Sequence, residues 1–551
     1  MEILSIKDLT FSYPNKENFA LQNVNLSINS GDFVVVCGQS GSGKTTLLRM
    51  LKKEIAPHGE KQGAVYYKGE DVEKLDDKIS AQKIGFVFQK PDQQIVTDKV
   101  WHELAFGLES LGYDSDYIRL RVGEMANYFG ITSLFRKKTT ELSGGQKQLM
   151  NLASVMAMSP DVIILDEPTS QLDPITANDF ITTLKKINDE LGLTVIIIEH
   201  RLQEVFPIAD KVAVMEDGKV ICYDTPRNVC EKLSNHPMSQ GFPSAVRIWQ
   251  KSGSKGECPL TVKEGRNFIN LNFSERKLPL RNTIPNTEDI ITLKDVFFRY
   301  EKGGNDILSG TNLSIKKGEH FCILGGNGSG KTTTLKILAG LLKPYRGKVI
   351  IDNNKMTKKT TADFNRLGVA MLPQNPESVF LKSRVIDDYT ELCKIKGIEK
   401  SDYEDKINSV AEKLGIKDLL ENHPYDLSGG EIQKCALGKV LISEPKILLL
   451  DEPTKGVDAY SKLSLSKILQ EIKSEGVTII TVTHDVEFAS IVADRCGLFF
   501  DGEVLSSLVP QEFFSKNNFY TTASSRISRD KFANAVTVDD VVSLIKEEQN
   551  G

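Results

Sequence analysis

Gly38-Gln-Ser-Gly-Ser-Gly-Lys44-Thr45-Thr46 follows the apolar run Phe33-Val-Val-Val-Cys37 and precedes Leu47-Leu-Arg-Met-Leu51. The order reads strand, glycine-rich loop, helix, the setting in which G-x-x-x-x-G-K-[ST] carries a mechanism. Glycines let successive backbone N–H groups converge on phosphate oxygens, and the helix start adds partial positive charge. Lys44 is then placed to reach the terminal phosphates of a nucleotide, and Thr45 to offer a hydroxyl to Mg²⁺. Gly38, Ser40, Gly41, Gly43, Lys44, Thr45 and Thr46 are the candidate phosphate-loop residues.

A second copy of the loop supplies Gly325, Asn327, Gly328, Gly330, Lys331, Thr332 and Thr333. Lys331 lies 287 positions after Lys44, and the other polar landmarks keep nearly the same register. Gln89 recurs as Gln374, Ser143 as Ser428, Asp166 as Asp451 and His200 as His484, at offsets of 284 or 285. Such a register defines two homologous domains. The expected boundaries are residues 1–235 for the first domain, 236–288 for a linker, 289–516 for the second domain and 517–551 for a tail. The linker reading rests on Ser252-Gly-Ser-Lys-Gly256 and several prolines. The tail holds apolar spacing from Val536 to Glu548 suited to a short amphipathic helix, docked on its own domain or left for a partner. Polar landmarks sit at the ends of aliphatic strands with helical stretches between, which predicts α/β domains with mostly parallel core sheets.

The chain of 551 residues is long enough for two or three domains, and its 40% hydrophobic and 26% charged residues are those of a soluble globular protein. A net charge of −5 gives no reason to expect nucleic acid as a partner. The longest aliphatic runs, Val195-Ile-Ile-Ile198 and Ile447-Leu-Leu-Leu450, are far too short to span a membrane and read as buried parallel strands. Met1-Glu-Ile-Leu-Ser-Ile-Lys-Asp8 lacks the pattern of a secretory leader, so a cytosolic protein is expected. The eight cysteines are scattered, without a C-x-x-C pair or histidines at ligand spacing, so neither a disulfide nor a metal cluster is expected.

Val162-Ile-Ile-Leu-Asp166-Glu167-Pro168 and Ile447-Leu-Leu-Leu-Asp451-Glu452-Pro453 each deliver two adjacent carboxylates at the mouth of a strand. Alternation along the strand gives the two acids different aims. Alone, such a pair reads equally well as solvated acids. Beside a phosphate loop, Asp166 and Asp451 suit the surroundings of Mg²⁺, while Glu167 and Glu452 suit activation of a water attacking the γ-phosphate.

Leu142-Ser143-Gly144-Gly145-Gln146 and Leu427-Ser428-Gly429-Gly430-Glu431 each precede a helical pattern and make another oxyanion-binding terminus. With these residues in place, nearly the whole chain outside linker and tail resembles an ABC-type ATPase. The resemblance implies two P-loop domains in an intramolecular head-to-tail sandwich, where the signature of one closes over ATP held by the other. One site would combine Lys44, Glu167 and His200 with Ser428, Gly429 and Gly430; the other would combine Lys331, Glu452 and His484 with Ser143, Gly144 and Gly145. The family pattern further implies adenine stacking by Tyr13 and Tyr300, sensing of Mg²⁺ and water by Gln89 and Gln374, γ-phosphate contact by His200 and His484, and bridging acids at Asp173 and Asp458. ATP and Mg²⁺ are the implied ligands, and hydrolysis at both sites is expected. Glu431 in place of the signature glutamine, and Lys455-Gly-Val-Asp458 against Ser170-Gln-Leu-Asp173, permit unequal sites.

Within that family, the stretch from Phe86-Val-Phe-Gln89 through Lys-Pro-Asp-Gln to Gly107, together with Glu199-His200-Arg201-Leu202, is similar to the ATPases of energy-coupling-factor importers. That resemblance implies a peripheral subunit at the cytoplasmic face of the membrane, with a transmembrane T component and a substrate-binding S component as partners. The cargo would be a vitamin, a vitamin precursor or a transition metal ion. Asp92 and Glu377 are offered either as acceptors for basic groups of the T component or as exposed loop acids. Two alternatives stand beside this reading: the fused ATPase of a sugar importer, which typically has one degenerate phosphate loop, and a soluble ribosome-associated ABC ATPase, which typically has a charged interdomain arm.

Overall fold

The computed structural model describes residues 1–14, 18–253 and 256–550, so Ser254 and Lys255 of the expected linker lie outside the described residues. The chain divides into two compact units, Met1–Val246 with Lys255–Thr261, and Arg247–Ser254 with Val262–Gly551.

In the first unit, six strands form a sheet in the order Lys219–Asp224, Lys211–Glu216, Phe33–Gly38, Thr194–Ile198, Val162–Asp166 and Ile84–Val87. All neighbours are parallel except the first pair. Every residue of Phe33–Gly38, Val162–Asp166 and Thr194–Ile198 is buried, which is why these strands read as unbroken aliphatic runs rather than alternating ones. A separate antiparallel sheet, ordered Leu21–Asn29, Glu2–Ser12, Glu60–Tyr67 and Glu70–Asp71, shares the core beneath the phosphate loop. The expectation of a mostly parallel sheet did not anticipate this second sheet.

The second unit repeats the plan. Its six-stranded order is Val369–Leu372, Ile447–Asp451, Thr478–Val482, His320–Gly325, Arg495–Phe500 and Glu503–Leu508, again with one antiparallel edge pair. Its antiparallel sheet runs Leu308–Lys316, Asp289–Phe298, Arg346–Ile351 and Asn354–Lys355. In both units the phosphate loop, the acidic pair and the histidine therefore emerge from neighbouring strands at their carboxyl ends, where ligands of parallel sheets collect.

Residues 236–288, expected to form a linker, contain helices Ser244–Lys251 and Val262–Asn272. The tail holds helices Ala523–Ser528 and Val538–Asn550, the latter close to the predicted span. Within the second unit, Arg276–Lys277 pairs in parallel with Phe532–Ala533, the Arg266 guanidinium donates to Arg526 O at 2.8 and 3.0 Å, and Lys251 meets Asp539 at 2.7 Å. Periodicity found the last helix but missed helices Ser244–Lys251, Val262–Asn272 and Ala523–Ser528 and the Arg276–Lys277 pairing, which are short and make contacts with residues more than 250 positions away.

The loop after each glutamine is braced by a buried acid on the following helix. Glu103, on Val100–Leu111 and 4% exposed, accepts from Val96 N, Thr97 N and Thr97 Oγ1. Asp388, on Val385–Ile395 and 1% exposed, accepts from Leu381 N, Lys382 N and Lys439 Nζ. Removing the first brace strands two backbone donors. Glu103→Ala is expected to cost about 2 kcal/mol or more, lowering the thermal midpoint of the first unit by roughly 5 °C. An unchanged midpoint would mean that water replaces the carboxylate freely.

Candidate functional site

Each phosphate loop closes on its own lysine. Lys44 is 5% exposed, and its Nζ donates to the carbonyls of Gly38 at 3.0 Å and Gln39 at 2.7 Å. Lys331, equally buried, donates to Gly325 O at 3.1 Å and Gly326 O at 2.8 Å. The glycine before each lysine is sterically required. Gly43 has φ +92°, and a Cβ there would sit 2.4 Å from Ala20 O; at Gly330, φ is +100° and the nearest backbone oxygen, Ile307 O, would be 2.8 Å away. These left-handed glycines turn the strand into helices Lys44–Met50 and Lys331–Leu338, whose first N–H groups face the loop.

The acidic pair lies directly beside the loop. Thr45 Oγ1 donates to Asp166 Oδ1 at 3.1 Å, and Thr332 Oγ1 to Asp451 Oδ1 at 3.0 Å. Glu167 and Glu452 adopt φ of 45° and 50°, values uncommon for a side-chain-bearing residue, while their N–H groups stay bonded to the adjacent strand at Ile198 O and Val482 O. That backbone turn aims the carboxylate towards the histidine. His200 Nε2 lies 2.8 Å from Glu167 Oε1, and Gln89 Nε2 donates to Glu167 Oε2 at 2.6 Å. In the second unit His484 Nε2 lies 3.2 Å from Glu452 Oε1, and His484 N donates to Glu452 Oε2 at 3.1 Å. Gln374 does not join this cluster: it is exposed and, among the described residues, forms no hydrogen bond to Glu452.

Burial governs the electrostatics. Desolvation, then the neighbouring Glu167 charge, pushes Asp166 up to about 6. Desolvation likewise raises Asp451 and takes Glu452 up to about 7. Thr45 with Asp166, and Thr332 with Asp451, present hard oxygen donors, the kind Mg²⁺ takes alongside substrate phosphates and water.

The remaining expected residues take several positions. Tyr13 and Tyr300 lie one and two residues beyond strands Glu2–Ser12 and Asp289–Phe298. Their hydroxyls contact Thr46 Oγ1 at 3.0 Å and Thr333 Oγ1 at 3.3 Å. Ser143 and Ser428 cap helices Gly144–Ala157 and Gly429–Leu441 in capping boxes. Gln146 Oε1 accepts from Ser143 N at 3.0 Å, and Glu431 Oε2 from Ser428 N at 2.8 Å. A capping box needs only an acceptor at that position, so the exchange of glutamine for glutamate leaves the turn intact. Gly144 has no atom within 4 Å of a virtual Cβ, whereas at Gly145 and Gly430 the Cβ would meet Thr176 Cγ2 at 2.6 Å and Ser461 Oγ at 2.7 Å. Asp173 and Asp458 cap the helices that carry those two residues. The brace residues Glu103 and Asp388 were not anticipated; an acid at the fourth position of the corresponding helix in both repeats, 285 apart, was the available signal.

Two tandem P-loop domains with a buried lysine, an Asp-Glu pair and a downstream histidine define an ATP-hydrolysing cassette protein. The family profile for ABC transporters matches residues 21–170 and 308–455. A Bacillus thuringiensis subsp. konkukian protein, provisionally named an ABC transporter ATP-binding protein, is 41% identical over 544 residues, covering 97% of each chain. A Methanosarcina acetivorans protein with the same provisional name is 32% identical over 547 residues, covering 92% of this chain and 84% of its own. The chain belongs to the ABC transporter family, as one of its ATP-binding proteins. A crystal structure of the complex of archaeal ribosomal stalk protein aP1 and archaeal ribosome recycling factor aABCE1 shares the fold, with a TM-score of 0.58 and 22% identity over 92% of this chain and 91% of that one. Among the described residues, no helix is long and apolar enough to cross a membrane.

The raised Glu452 gives a pH dependence. Its carboxyl is favoured protonated in the folded unit, so the stability it allows below the ordinary value near 4.5 is lost as pH rises to about 7. In magnesium-free buffer, Glu452→Gln is expected to raise the thermal midpoint of the second unit at pH 8 and to change it little at pH 5. A lowered midpoint at pH 8 would contradict the burial account.

Proposed function

We propose that the chain is the ATP-hydrolysing, energising subunit of an energy-coupling-factor type importer for a vitamin, a vitamin precursor or a transition metal ion. The observation that carries this reading is the segment Phe86–Gly107, similar to that importer group and containing Gln89. In the first unit it forms the turn Pro91–Gln93 and the helix Val100–Leu111. Asp92 there has a 72% exposed side chain and pairs with Lys147 at 2.5 Å, while Val96 is 66% exposed and Trp101 and Phe106 are each 39% exposed. An exposed acid among exposed apolar side chains suits basic, amphipathic helices of a transmembrane T component. An S component would select the cargo, and the chain would be peripheral at the cytoplasmic face of the membrane.

In the mechanism, Lys44 and Lys331 hold the terminal phosphates, with the N–H groups of their loops. Glu167 and Glu452 orient and deprotonate the attacking water, and His200 and His484 hold each carboxylate and reach the γ-phosphate. Mg²⁺ would be held by Thr45, Asp166 and Gln89, and by Thr332, Asp451 and Gln374, neutralising phosphate charge. Ser143, Gly144 and Gly145 would close over the site of Lys331, and Ser428, Gly429 and Gly430 over that of Lys44. ATP favours this closed sandwich and hydrolysis reopens it, a population shift that the segments after Gln89 and Gln374 would pass to the membrane partners.

Two measurements test the reading. Glu167→Gln combined with Glu452→Gln is expected to lower ATP turnover by about 10²-fold or more, since the water loses its base at both sites; turnover near that of the parent would remove the glutamates from the mechanism. Affinity purification from native membranes in mild detergent is expected to recover small polytopic membrane proteins. Recovery of ribosomal subunits instead, with the chain absent from the membrane fraction, would overturn the importer reading.

A further inference from the structure

The two halves differ at the residue immediately before each histidine. In the first it is Glu199, 3% exposed. Its Oε1 accepts from Thr169 N at 3.2 Å and from Thr169 Oγ1 at 2.7 Å, and its Oε2 accepts from His200 N at 3.2 Å. Thr169 stands two residues after Glu167. One buried carboxylate thus ties the loop that carries Glu167 to the loop that carries His200.

The second half is built without this tie. Thr483 occupies the corresponding position, fully buried, and its hydroxyl accepts from Asp485 N at 3.0 Å. The N–H of His484 goes instead to Glu452 Oε2. The strand and its turn therefore form without an acid at this position, and burying a carboxylate there is costly unless its hydrogen bonds do something a threonine cannot. What they do is visible in the contrast. Where Glu199 takes up the His200 N–H, Glu167 is met by side chains, at 2.6 Å from Gln89 and 2.8 Å from His200 Nε2. Where threonine stands, the backbone N–H of the histidine takes one oxygen of the glutamate at 3.1 Å, its Nε2 lies farther from the other at 3.2 Å, and no glutamine side chain joins them among the described residues.

We infer that Glu199 is a positioning residue for ATP hydrolysis at the first site: by holding Thr169 and the backbone of His200, it sets the imidazole against Glu167. The inference rests on the hydrolytic role proposed for Glu167. It also makes the sites unequal by construction, because only at the first does the glutamate depend on a side chain of the glutamine loop and on a tie between two loops.

Glu199→Gln tests this in the full-length chain. The amide keeps the volume and can still accept from Thr169, but it cannot also accept from His200 N at its nitrogen. Steady-state ATPase is expected to lose at least about threefold in kcat with KM unchanged, and with affinity for a fluorescent ATP analogue and the thermal midpoint also unchanged. Added to Glu167→Gln, the same change is expected to cause no further loss. An unchanged kcat overturns the inference. So does a further loss in the Glu167→Gln chain, or a fall in ATP affinity or thermal midpoint that accounts for the lost turnover, since each marks a general structural role. If Glu167→Gln alone leaves kcat unchanged, the reading of Glu167 fails instead.

Discussion

Everything at either site depends on a lysine ammonium held in the interior by the carbonyls of its own loop. Lys44 and Lys331 are each 5% exposed, and each takes two backbone oxygens from the start of the glycine-rich turn. A charge buried in this way is tolerable only if its donors are satisfied and a strong anion can approach. The turn meets the first condition through glycines at φ +92° and +100°, and the sheet meets the second by leaving the loop at the carboxyl ends of its strands. The charge of the lysine also lowers the cost of the acids beside it, opposing the desolvation that raises Asp166 and Glu452.

From that constraint the rest of the site follows as a matter of strand order. Phe33–Gly38 lies beside Thr194–Ile198, which lies beside Val162–Asp166. The loop is therefore brought within hydrogen-bond reach of an acidic pair that lies 121 residues further along the chain, and that pair within reach of a histidine 33 residues beyond it. The same adjacency recurs in the second unit, so one arrangement of three strands accounts for both sites.

What the sequence made legible were the features set by residue type: the glycine loops, the adjacent acids at the ends of aliphatic runs, the serine caps and the register that joins the two halves. What it left hidden were features set by backbone direction and by partners distant in sequence. Nothing in Asp166-Glu167-Pro168 announces that Glu167 turns left-handed to face His200. The braces at Glu103 and Asp388 are single acids inside amphipathic helices, where surface charge is the usual expectation. The pairing of Arg276–Lys277 with Phe532–Ala533 spans too long a separation for any local pattern to show. Gln89 and Gln374 also differ in a way their shared residue type does not show, since they are followed by turns of different composition and, among the described residues, only Gln89 is hydrogen-bonded to its glutamate.

The central claim is that this one chain builds two nucleotide sites, each with its own lysine, acid pair and histidine. The most direct measurement is the stoichiometry of ATP bound at saturation, in the presence of Mg²⁺, by the purified chain carrying both glutamate-to-glutamine changes so that bound nucleotide is not consumed. The account predicts two ATP per chain. One ATP per chain would contradict it, leaving one of the two loops a structural relic.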